Sequence, residues 1–107
     1  MGKKSPADII DLQKIIGTQK GSVVSREIIR KKTGTVTLFS FDKGQGLSTH
    51  TAPFDALVIL VEGLAEIKIS NKPFIIKKGQ AVILPAGKPH ALLAVKPFKM
   101  LLVMIKS

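Results

Sequence analysis

The chain contains two histidines, His50 and His90, and the carboxylate nearest to either in sequence is Asp55. Imidazole titrates near neutral pH without help from its surroundings and is the commonest metal ligand. A carboxylate within reach of one of these rings would complete an acid–base pair. Two imidazoles and one carboxylate would also make a facial ligand set with open positions, which suits Fe(II) or Mn(II). The chain has no cysteine, which removes thiolate metal sites, disulfides and cysteine nucleophiles from consideration. Ser48 shares a strand face with His50 on simple alternation, but no strand-to-helix nucleophile elbow surrounds it, so serine hydrolysis is not indicated. Gly44-Gln45-Gly46 is not a phosphate loop, because no Lys-Ser/Thr follows and no helix opens after it.

The elements that must position these residues are short and β-rich. Runs at Val23–Ile29, Thr35–Phe41, Ala56–Val61, Leu64–Ile69, Phe74–Ile76, Ala81–Leu84, His90–Val95 and Phe98–Ile105 are separated by Gly, Pro, Asn and Lys. That spacing predicts an all-β barrel or two-sheet jelly roll. Before it, apolar positions 9, 12, 15 and 16 predict one short amphipathic helix over residues 7–16, with Ser5 and Asp8 near its start and Gly17 beyond its end. The organisation expected is therefore an N-terminal helix and loop over residues 1–21 and one barrel domain over residues 22–107. The last strand is apolar on both faces, with Phe98, Met100, Leu102 and Met104 on one and Leu101, Val103 and Ile105 on the other. One face must fill the barrel and the other needs cover, from the second sheet, the helix or another subunit. A homodimer is the corresponding expectation.

Two stretches resemble the paired signature of the cupin superfamily, specifically the small single-domain type with one conserved barrel. In the first, from Gly46 through His50 to Gly63, His50 matches the first histidine of the family's His-x-His and Gly63 its closing glycine. Ala52 and Ala56 stand at the positions of the second histidine and the acid. The second runs from Gly79 through Pro85-Ala86-Gly87 to His90 and matches the family spacing without a gap. The resemblance covers about residues 35–107. It implies a double-stranded β-helix barrel with His50 and His90 on facing strands inside its mouth, and it carries over two of the family's four metal ligands.

Two functions follow from that resemblance. One is a small-molecule-binding cavity marked by the two histidines and lined by Val58, Leu60, Leu92, Met100 and Leu102, with Ser48 beside His50. The other is a divergent metalloenzyme of dioxygenase, isomerase or decarboxylase type using His50, His90 and Asp55. It would hold Mn, Fe, Ni or Zn, with Gln45, Ser48 and Met100 as weaker sources of a third ligand. The first is favoured, because a catalytic metal normally has at least three protein ligands. Asp55 has a competing role as a loop carboxylate accepting backbone N–H bonds, and Met100 and Met104 one as core filling.

Seventeen basic against seven acidic residues give a net charge of +10, which raises affinity for any polyanion. The charges are scattered, however, and the chain has no Tyr or Trp to stack on bases. Solvated surface is the expected role of most lysines, and dedicated nucleic-acid binding is the third-ranked function. No apolar signal core follows the basic N-terminus, and no window is apolar enough to span a bilayer. These features predict a cytoplasmic protein without a membrane partner.

Overall fold

The computed structural model describes residues 8–106. These residues form nine strands in chain order: β1 (Val23–Lys31), β2 (Gly34–Phe41), β3 (Gly46–His50), β4 (Ala56–Glu62), β5 (Leu64–Ile69), β6 (Lys72–Lys77), β7 (Ala81–Leu84), β8 (His90–Ala94) and β9 (Phe98–Ile105). All pairings are antiparallel. A five-stranded sheet runs β1-β2-β9-β4-β7 and a four-stranded sheet runs β3-β8-β5-β6. The all-β architecture expected from the sequence is what the chain adopts.

Alternation along the strands sorts side chains between the sheets and the outside. Phe41, Val58, Leu60, Ile67, Phe98 and Met100 are almost fully buried in one core cluster. The Phe41 and Phe98 rings stack with centroids 4.4 Å apart, on directly paired positions of β2 and β9. Ser70 and Asn71 both take positive φ between β5 and β6, as a two-residue hairpin of the primed type requires. Gly63, at φ 92°, links β4 to β5 where the chain passes against Pro97 and Phe98.

The N-terminal helix does not form among the described residues; Ser5 and Ala7, at the start of the expected helix, lie outside them. Instead Asp11 closes one turn, its carbonyl accepting from the N–H groups of Lys14 (3.1 Å) and Ile15 (2.9 Å). So short a helix would depend on packing its apolar stripe, and that stripe is not packed as a unit: Ile16 is buried, while Ile9 is 97% exposed. The segment is drawn out by contacts with the outer face of the large sheet. Lys99 Nζ donates to the Gln13 carbonyl at 2.6 Å, and the Thr18 and Ser40 hydroxyls lie 3.2 Å apart. Lys99 is buried, and Glu62 stands 3.8 Å from its ammonium. Captured by Lys99, the Gln13 carbonyl is not left to continue a helix. Residues 11–18 thus form a strap over one end of that face, where Leu38 is fully buried outside the main core cluster.

Candidate functional site

β3 and β8 pair at the edge of the smaller sheet, with Leu47 opposite Leu92 and His50 opposite His90. Three steps along β3 therefore match two along β8, so β3 carries a bulge. The bulge breaks the simple alternation that would put Ser48 beside His50. Leu47 and His50 turn inward with Ala52, whereas Ser48 is exposed and supplies its carbonyl to the His50 ring. The two histidines are neighbours within one sheet, a correction to the expectation of facing strands. Gly46 makes this pairing possible, because a Cβ there would lie 2.1 Å from the Leu92 carbonyl oxygen.

The imidazoles meet edge to face, with centroids 4.3 Å apart and Nε2 atoms 3.1 Å apart. Each Nδ1 faces a backbone carbonyl, Ser48 O at 2.7 Å for His50 and Lys88 O at 3.3 Å for His90. A carbonyl oxygen only accepts, so each Nδ1 is assigned a proton and donates. The Nε2 lone pairs are then turned toward each other, and one shared proton or one ligand donor satisfies both.

His90 is buried and His50 lies at the mouth. Desolvation, reinforced by the neighbouring His50, lowers the His90 pKa below its ordinary value of 6.5, while the Lys88 carbonyl opposes the shift. The unfolded chain then binds more protons than the folded one as pH falls below about 6.5, so stability declines in that range. Urea midpoints measured between about pH 7.5 and pH 5.5, spanning that value, should fall in the wild type and fall less steeply in His90→Gln. Equal slopes would show that His90 is not the source.

Behind the pair is a cavity of about 130 Å³. Of the residues expected to line it, Val58, Leu92, Met100 and Leu102 do so with both histidines. Leu60, in the same core cluster, does not reach the cavity, and Ser48 faces away. Leu47, Ala52, Ala56, Leu84 and Met104 also line it; the bulge concealed Leu47, and core filling was the role expected of Met104. Ala52 and Ala56 are informative, since they occupy positions where the cupin-like pattern carries a histidine and an acid. Their methyl groups leave space where longer ligating side chains would otherwise project.

Asp55 is not part of this cavity. Its Oδ1 accepts from the Ala86 N–H at 2.8 Å and its carbonyl accepts from the Ile105 N–H at 3.2 Å. It ties the β3–β4 connection to the loop before β8 and to the end of β9. Among the described residues no three His, Cys, Asp or Glu side chains gather as a metal-binding group. The two-imidazole donor set therefore falls short of a closed or catalytic metal site. Asp42, outside the cavity, has its carboxyl pKa lowered by hydrogen bonds from the Gly21 and Lys43 N–H groups, a local clamp on the β2–β3 turn.

The cupin domain family model matches residues 37–105. A conserved protein of unknown function from Streptococcus pyogenes, SPY1581, is 38% identical and superposes with a TM-score of 0.90, over 99% of this chain and 93% of that one. A cupin 2 conserved barrel domain protein from Leptotrichia buccalis is 39% identical with a TM-score of 0.86, over 91% of this chain and 47% of that longer one. A cupin superfamily protein from Desulfitobacterium hafniense shares the fold at 23% identity and a TM-score of 0.89, with 96% and 94% of the two chains covered. No match was found among curated proteins. With the paired glycine–histidine stretches on adjacent strands, the jelly-roll sheets and a family match over most of its length, the chain belongs to the cupin family.

Proposed function

We propose that this cupin binds a small, largely apolar molecule inside the barrel, with the His50–His90 pair meeting its polar group. The observation that supports this is the pairing of an apolar cavity with two converging imidazole nitrogens. Among the described residues that line it, the histidines are the polar side chains. Its volume, about 130 Å³, is well below that of a drug-sized site. A dry cavity of about 150 Å³ accepts a molecule the size of benzene, so the ligand class is one of about six heavy atoms or fewer inside the cavity, with one hydrogen-bonding group.

The test is a thermal-shift screen of such fragments, run beside Mn²⁺, Fe²⁺, Ni²⁺ and Zn²⁺ on tag-free protein. A fragment at about a hundredfold excess over its Kd stabilises by about 2.7 kcal/mol, a rise of about 10 °C or more in Tm for a domain of this size. The shift should disappear in Ala56→Leu, which fills the cavity, and weaken about tenfold in affinity in His90→Gln, which breaks the pair. Stoichiometric metal lost on changing either histidine, with no fragment bound, would replace this reading with the metalloenzyme one.

A further inference from the structure

The two histidines are held by the same device. Each ring turns its Nδ1 to the backbone carbonyl two residues before it, Ser48 O for His50 at 2.7 Å and Lys88 O for His90 at 3.3 Å. A carbonyl has no proton to give, so both contacts select the tautomer that carries its proton on Nδ1. Turning either ring over would break that bond. Both Nε2 atoms therefore present lone pairs to the cavity, 3.1 Å apart. In a neutral pair neither can donate to the other.

The protein does not supply the missing hydrogen. Among the described residues, every other side chain lining the cavity belongs to an alanine, valine, leucine or methionine, and none of these carries a donor. The Ser48 hydroxyl is on an exposed residue that does not line the cavity, and the Asp55 carboxylate is engaged by the Ala86 N–H outside it. An oxygen or nitrogen atom about 2.9 Å from both Nε2 atoms would close a nearly equilateral triangle with them. At that apex an atom bearing a hydrogen donates to the pair. An atom with lone pairs alone is a third acceptor facing two others.

We infer that the barrel selects molecules presenting a neutral hydrogen-bond donor, a hydroxyl or ring N–H on a small apolar frame, and rejects isosteres that only accept. This rests on the cavity reading proposed above and adds the direction of its hydrogen bond. Ketones and ethers are rejected because their oxygens bring no hydrogen, and a carboxylate for the same reason. An alkylammonium has hydrogens to give, but the chain carries a net charge of +10 and no carboxylate lines the cavity to hold a cation. An acceptor-only molecule would leave the lone pair of the buried His90 without a partner, and a site built to hydrogen-bond one group rejects the analogue that lacks it. His50 is exposed at the mouth and keeps its access to solvent, which limits the discrimination to about tenfold to a hundredfold.

The test uses pairs of equal size and opposite polarity: cyclopentanol against cyclopentanone, and pyrrole against furan. Affinities are measured by calorimetry on tag-free protein in EDTA at pH 8, above the ordinary imidazole pKa of about 6.5. Cyclopentanol and pyrrole should bind at least about tenfold more tightly than their counterparts. In His90→Gln, whose amide can donate as well as accept, that ratio should fall toward one. His50→Gln, at the exposed mouth, should move it in the same direction and serves if the buried substitution prevents folding. Imidazole ¹⁵N shifts of the wild type should show a protonated Nδ1 and a bare Nε2 in both rings, with the Nε2 signals moving when cyclopentanol is added. Ketone or furan binding as tightly as its counterpart, butyrate binding more tightly than cyclopentanol, or an Nε2–H tautomer in either ring would overturn the donor preference and leave the cavity reading standing. Binding of none of these probes would sink the cavity reading itself, and the preference with it.

Discussion

Gly63→Ala should destabilise the fold by about 3 kcal/mol or more, because two independent demands converge on that residue. Its φ of 92° is a left-handed conformation that a side chain strains. A Cβ there would also stand 2.1 Å from the Pro97 carbonyl oxygen and 2.6 Å from Phe98 Cα and Cβ. Relief would require moving Phe98, which stacks on Phe41 in the core, or opening the β4–β5 corner. The comparison is Gly79→Ala, which has a similar φ of 83° and open space around the built Cβ. Conformation alone should cost about 1 kcal/mol there. Urea unfolding of the three proteins separates the two contributions. Equal losses in both variants would mean that the Pro97–Phe98 approach is soft and that φ alone matters.

Gly46→Ala should strike the site itself. The added methyl would collide with the Leu92 carbonyl, 2.1 Å away, at a position where φ imposes no glycine. β3 is an edge strand, so the collision can be relieved by peeling it from β8. The expected cost is about 2–3 kcal/mol, from the ladder bonds lost and the side chains exposed. The more telling change is local. His50 is held opposite His90 by that pairing, so the contact between the rings should be lost while His90 stays in place. Nuclear Overhauser contacts between the two imidazoles report this directly, and fragment binding in the cavity should weaken with them. Gly44→Ala is the control: its φ is positive, its N–H bonds the Ala94 carbonyl at 2.9 Å, and the built Cβ meets no neighbour, so the methyl adds no collision with β8. Survival of the ring contacts in Gly46→Ala would show that the bulge, not the Gly46 approach, holds β3 in place.

Much of the barrel was legible in the chain because its signals are local. Gly, Pro and Asn mark the turns, and most strands alternate cleanly enough to reveal two faces. The double apolarity of β9 correctly separated Phe98 and Met100, which fill the core, from Leu101, Val103 and Ile105, which face out. The N-terminal stripe was misleading for a physical reason. Its periodicity matched a helix, but the deciding interactions were distant ones, from Lys99 to Gln13 and from Ser40 to Thr18, across 86 and 22 residues.

The site divides in the same way. Residue types and spacing singled out His50 and His90 as the candidate pair, removed cysteine chemistry, and showed alanines at two positions where the family pattern carries ligands. Tertiary structure decided the rest. One extra residue in β3 put Leu47 inside and Ser48 outside, since alternation has a period of two and a single insertion reverses it. The Ala86 N–H took the Asp55 carboxylate away from the histidines, and the pairing of β3 with β8 brought the two Nε2 atoms to 3.1 Å. Local sequence specifies which faces a strand can offer, whereas register and long-range partners select the side chains that meet.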